Sequence, residues 1–225
     1  MKIEFFKGSN VISMMPLRTQ KKFPAISQVE AYWEALRNGR LMPARSEIDP
    51  RGISDVLEYA FILEKIAPGM ARIRLAGHHL NDLLGMEVRA MPITALFLPE
   101  ARRGVQRALE SVFEAPASAR LSLTGNTGMT RPSLQAHMFL APLKDEEGKP
   151  TRIFGALQAA GKIGRAPRRF NIQDAKITPL LSDDPLQTSA LPARAPGFGE
   201  AAQPFEPAPV KGAQHLRLVP EPTKA

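Results

Sequence analysis

A Pro68-Gly69 pair, set between two runs of alternating apolar and polar residues, constrains this chain more than any other feature. Proline fixes φ at the second position of a type II turn, and glycine accepts the positive φ of the third, so the chain must reverse there. The flanking runs, Ala60 to Ile66 and Ala71 to Gly77, read as strands. In the second, Ile73 and Leu75 are expected to point inward while Arg72 and Arg74 point to water. An isolated two-stranded hairpin is marginal in water, so the rest of the chain must supply further strands and a covering layer.

Three further stretches have strand character: Ala117 to Thr124, Ser133 to Leu143 and Thr151 to Ala160. Gly125-Asn126-Thr127-Gly128 and Asp145-Glu146-Glu147-Gly148 connect them as turns. Helices are expected between these blocks. Ile26 to Asn38 places Ile26, Val29, Trp33 and Leu36 on one face, with Ser27 and Glu30 as a capping box and Gly39 as the stop. Asp49-Pro50 opens a short helix that buries Ile53, Val56 and Leu57. His78 to Leu84 makes one or two turns closed by Gly85, and Pro99 to Glu114 forms a longer helix with Val105, Leu109, Val112 and Phe113 as its apolar stripe.

Beyond Ala160 the pattern fades. Lys162 to Lys176 is basic, and from Ser182 proline, alanine and glycine dominate. The expected organisation is a flexible basic leader (1–25), one folded domain (26–162), then a basic segment and a Pro/Ala-rich disordered tail (163–225). Within the tail Gln214 to Val219 is an apolar island, either chance clustering or a short binding motif.

The sequence contains 0 cysteines, which excludes disulfides, thiolate metal sites and a catalytic thiol. No run approaches the roughly 20 apolar residues of a membrane-spanning helix. Ser13 and Pro16 interrupt the one apolar stretch of the leader, so a cytoplasmic protein without membrane insertion is expected. A net charge of +8 invites polyanionic partners, yet the basic residues gather at Lys2 to Lys22 and Lys162 to Lys176, outside the segments that look most folded. There is no phosphate loop, metalloprotease helix, nucleophile elbow or paired-carboxylate arrangement, so neither catalytic residues nor a metal site are expected.

Two strands, a short helix and loop, a longer helix and three strands is an order that resembles the PAS domain. The local blocks sharpen this. Ala31-Tyr32-Trp33-Glu34-Ala35-Leu36-Arg37, Met42 to Pro50, Ala60-Phe61-Ile62-Leu63-Glu64, Arg74-Leu75-Ala76-Gly77 and Leu80 to Val88 resemble a PAS-like family of alphaproteobacteria long catalogued as a domain of unknown function. The resemblance spans about Val29 to Ala160 and implies an α+β fold: a five-stranded antiparallel sheet with helices on one face and an N-terminal cap helix.

The resemblance further implies a bacterial sensory or regulatory domain, an adaptor acting through protein–protein contact with a partner or as a homodimer. Val29, Trp33 and Leu36 of the cap helix are then the contact residues. A small-molecule pocket between sheet and helices would draw on His78, His79, Leu80, Leu83, Phe97, Leu109 and His137. No cofactor is required. Haem is disfavoured because the long helix carries no histidine, and a covalent flavin adduct is excluded by the missing cysteine, while a non-covalent ligand stays open. The rival reading is a nucleic-acid-binding or regulatory accessory protein using residues 162–176: Arg165, Arg168, Arg169 and Lys176 around Phe170. It is not favoured, since no recognised nucleic-acid-binding motif accompanies them.

Overall fold

The hairpin forms as its turn dictates. In the computed structural model, which describes residues 22–181, β1 (Ala60–Ala67) and β2 (Met70–Ala76) pair antiparallel. The leader before Lys22 and the tail from Ser182, with its Gln214 to Val219 island, lie outside the described residues. β3 (Ala117–Gly125), β4 (Gln135–Leu143) and β5 (Arg152–Ala160) follow the expected stretches closely. All strands join one antiparallel sheet in the order β2-β1-β5-β4-β3-β6.

The sixth strand is a departure from expectation. β6 (Phe170–Pro179) lies in the stretch read as a basic segment beyond the folded domain, yet it pairs with β3 from Ala117 to Gly125. Its pattern hid it: Gln173 to Pro179 are all exposed, so no apolar alternation marks a strand. Backbone pairing with β3 holds it in place, with Phe170 buried at its start.

Helices cover both faces of the sheet, where the resemblance implied one. α2 (His78–Leu84) and α3 (Arg102–Glu114) share a core with Leu63, Ile73, Leu121, Met138, Leu140 and Leu157. α1 (Pro24–Arg37) and a 3₁₀ segment (Pro50–Tyr59) pack on the opposite face against Ile62, Phe139, Ala141, Phe154 and Ala156. Successive residues of a strand point to opposite faces, so a strand buried on both reads as a continuous apolar run. Met138-Phe139-Leu140-Ala141 in β4 is that run.

α1 begins earlier than its sequence suggested. Pro24 occupies the first turn and Phe23 sits at the cap without a capping side chain, leaving Ser27 inside the helix. A strand residue supplies the missing acceptor, because the Ala25 N–H donates to Gln158 Oε1 at 3.0 Å. Asn38, at φ 44°, takes the left-handed position expected of Gly39, whose own φ is 78°.

Trp33 is fully buried beneath α1. Its ring stands edge-on to Phe139 with centroids 6.4 Å apart, and its indole Nε1–H donates to the Pro142 carbonyl at 3.1 Å. Val29 is equally buried and Leu36 packs against the same cluster. The apolar face of α1 therefore covers the chain's own sheet, and Val29 and Trp33 are not surface anchors for a partner.

The connection into β6 carries an unusual residue. Arg168 is fully buried; its guanidinium donates to the carbonyls of Ile163, of Asn126 at 2.9 Å and of Pro132 at 2.8 Å, while its Nε has no partner. Burial, then the neighbouring Arg131, pulls its pKa below the ordinary arginine value. With Arg168 and Phe170 both inside, residues 162–176 do not present the basic and aromatic strip that a nucleic-acid surface would need.

Two substitutions test these packing assignments. Trp33→Ala should cost about 3–5 kcal/mol in urea denaturation, without changing the sedimentation coefficient of the folded protein. Arg168→Ala should cost about 1–3 kcal/mol by leaving buried carbonyls unsatisfied, and should raise hydrogen exchange in β6 more than in β1.

Candidate functional site

The sheet has one local irregularity with a large geometric effect. Leu63 pairs with Ile73 and Ile62 with Leu75, so Arg74 is an extra residue on β2. Such a bulge reverses the face of whatever follows it. Leu75, expected inward beside Ile73, instead shares the outer face with Ile62 and is 52% exposed. It forms the rim of a groove of about 540 Å³.

Ile62 and Phe154 of the sheet line this groove, and Ile48, Ile53 and Leu57 line it from the segments facing them. Leu57, expected to be buried, is 43% exposed for the same reason as Leu75: both look into open space between the 3₁₀ segment and β2. The wall is clamped at its start. The Tyr32 hydroxyl accepts from the Asp49 N–H at 2.8 Å and donates to the Asp49 carbonyl at 3.0 Å, tying the wall to α1. Asp49 caps the segment as expected, its Oδ1 accepting from the Arg51 N–H at 2.9 Å. At the far end the wall crosses β2 at Gly77, where a Cβ would lie 2.1 Å from the Glu58 carbonyl oxygen. Only glycine permits that approach.

The two ends of the groove are polar. Arg45 lies at one, and among the described residues its side chain makes no ion pair. Glu58 and His78 lie at the other, with His78 Nε2 2.9 Å from Glu58 Oε2. Nearby on the outer face Glu64 meets Arg72 at 2.7 Å, Arg74 at 3.5 Å and Arg152 at 2.5 Å. Burial raises the Glu64 carboxyl, but its bonds from Arg72 and Arg152 outweigh this and hold it below the usual carboxylate range. Arg72 and Arg74, expected to face only water, thus share one carboxylate.

The residues expected to line a pocket are distributed differently. Leu80, Leu83, Phe97 and Leu109 are fully buried and pack together in the core between the sheet and α2–α3. His137 lies on the other face of the sheet, stacked on Phe23 with centroids 4.1 Å apart. Among the described histidines only His78 reaches the groove. His79 is buried, and its Nε2 accepts the Ala159 N–H at 3.1 Å. That bond occupies the lone pair an iron or zinc ion would need and leaves the ring proton on Nδ1. The residues present therefore do not fit axial ligation of haem through His79 Nε2. Among the described residues no three His, Asp or Glu side chains converge as a metal site, and no helix is long and apolar enough to cross a membrane.

Sequence reasoning missed the groove because its decisive residue, Leu75, changes face at a bulge. The extra arginine, Arg74, follows an alternating pattern that looks regular without it. No motif marks that shift.

A family model described as a PAS domain matches residues 21–158. No curated protein matches the chain. Among solved structures, the light state of the blue-light photoreceptor Aureochrome1 LOV is 16% identical, with a TM-score of 0.37 over 50% of this chain and 88% of that one. A light-oxygen-voltage domain studied with a flavin analogue is 18% identical, with a TM-score of 0.36 over 50% of this chain and 84% of that one. An RNA-binding light-oxygen-voltage receptor is 14% identical, with a TM-score of 0.35 over 52% of this chain and 35% of that one.

Buried His79 and half-buried His137 imply a pH dependence of stability. Burial lowers the His79 pKa despite the opposing pull of Glu58 and Asp82, and burial followed by the charge of Lys22 lowers that of His137. As pH falls through the ordinary histidine value of 6.5 the unfolded chain takes up protons before the folded one does, so stability is lost. The melting temperature should be flat at and above neutral pH and fall below it. His79→Gln, whose amide oxygen can still accept the Ala159 N–H, should flatten part of that fall; an unchanged profile would exclude His79 as a cause.

Proposed function

Because the chain belongs to the PAS domain family, we propose that it is a sensory or regulatory domain that reports a small apolar ligand through protein contact, without catalysis. The observation that carries this reading is the groove itself. Its volume of about 540 Å³ lies within the range of small-molecule sites, and its half-exposed Leu57 and Leu75 are apolar surface that a ligand would cover. Arg45 at one end suits a molecule with an apolar body and an anionic terminus. A fatty carboxylate of medium length has that chemistry.

The clamp gives such a ligand a route outward. The groove wall is bonded to α1 through Tyr32, so a ligand that moves the wall acts on α1, whose outer face bears Glu34 and Arg37. On this reading a separate protein in the cytoplasm, or a second copy, receives the signal.

Native mass spectrometry of the full chain, with melting curves in decanoate, tests the ligand. A retained adduct, or a melting temperature that climbs with decanoate concentration, is expected. Leu75→Glu, at a half-exposed position, should abolish the response, and Arg45→Glu should weaken it. A chain that binds neither decanoate nor any co-purified molecule would refute the groove as a ligand site.

A further inference from the structure

The two edges of the sheet are treated differently. At the β2 edge Ile73 is bonded on its outer side, its N–H to the Met91 carbonyl at 2.9 Å and its carbonyl to the Ala90 N–H at 2.8 Å. The β6 edge is covered only at its start, where the Leu98 N–H donates to the Phe170 carbonyl at 2.9 Å. Among the described residues the Ile172 N–H is taken locally by Asn171 Oδ1 at 2.9 Å, and no other segment bonds to the outer edge of β6 between Asn171 and Pro179. A row of unpaired backbone donors and acceptors is a template for another strand.

We propose that this edge pairs with the same edge of a second copy, antiparallel about a two-fold axis at Ala175, to form a continuous sheet across a homodimer. A two-fold axis there places each residue opposite one whose number, added to its own, makes twice that of Ala175. Asp174 of one copy then faces Lys176 of the other, and the pair occurs twice. Asp174 and Lys176 lie on the same face of β6, and among the described residues neither has an ion partner within its own chain. Directly opposed side chains on antiparallel strands approach closely enough for opposite charges to attract and like charges to repel.

Charges on an edge strand ordinarily keep other chains away. Here an acid and a base two residues apart do the reverse for one register, because the two-fold converts them into complementary pairs. Ile177, on the other face of β6 and 40% exposed, gains cover from the second copy. Antiparallel strands alternate bonded and non-bonded pairs, so the axis at Ala175 suits either parity. The occupant is a copy of this chain and not an unrelated strand, since the pattern of one acid and one base is complementary to itself.

Sedimentation equilibrium of the full chain decides the matter. The wild type is expected to form a concentration-dependent dimer. Asp174→Lys and Lys176→Asp should each turn both pairs repulsive and weaken dimerisation roughly tenfold. The doubly reversed variant, D174K with K176D, should restore it. All these positions are exposed, so circular dichroism should be unchanged. A chain monomeric at every concentration, a dimer indifferent to the single reversals, or a double variant as weak as the singles would each overturn the proposal. None of these outcomes depends on the groove binding a ligand.

Discussion

Burial of the sheet on both faces is the constraint on which the rest of this structure depends. Met138 and Leu140 of β4 point toward α2 and α3, and Phe139 and Ala141 point toward α1. Removing either layer would expose a sheet face made of large apolar side chains, at about 25 cal/mol for each Å² uncovered. α1 is therefore part of the fold and not an appendage. Trp33 fixes it, since its ring packs on Phe139 while its one polar atom is satisfied by the Pro142 carbonyl.

The groove is a consequence of that second layer. α1 carries the 3₁₀ segment with it through Tyr32 and Asp49, and Gly77 lets the segment close over the end of β2. The layer does not reach the whole outer face. Where it stops, the bulge at Arg74 has already turned Leu75 outward, so an apolar side chain meets an incomplete cover. A PAS domain can in this way hold apolar space outside the core between its sheet and its α2–α3 layer.

The hairpin, the three later strands and the three α-helices among the described residues are legible in the sequence, because turn chemistry and apolar periodicity are local signals. The failures have a common physical origin. β6 shows no periodicity, since an edge strand exposed from Gln173 to Pro179 buries little, and its pairing with β3 is decided far away in sequence. The start of α1 was misjudged because its capping oxygen belongs to Gln158, not to Ser27. Leu80, Leu83, Phe97 and Leu109, expected around a pocket, are buried together in the core, and apolar composition alone does not distinguish a lining from a filling. His137 was assigned to the wrong face, since periodicity assigns a strand residue to one of two faces without saying which helix lies there.

Arg168 gives the two ends of the sheet different sensitivities to acid. Its partners are backbone carbonyls, which do not titrate, and a guanidinium keeps its charge throughout the accessible pH range. The tether that holds β6 against the domain thus has no proton-linked weak point. The β1–β2 end rests on groups that do titrate: the Glu64 carboxylate among its arginines, and His79 under the end of β5. Acid, protonating His79 first and the Glu64 carboxylate only at lower pH, therefore loosens this molecule from the hairpin side, beside the groove, while the opposite edge keeps its anchorage.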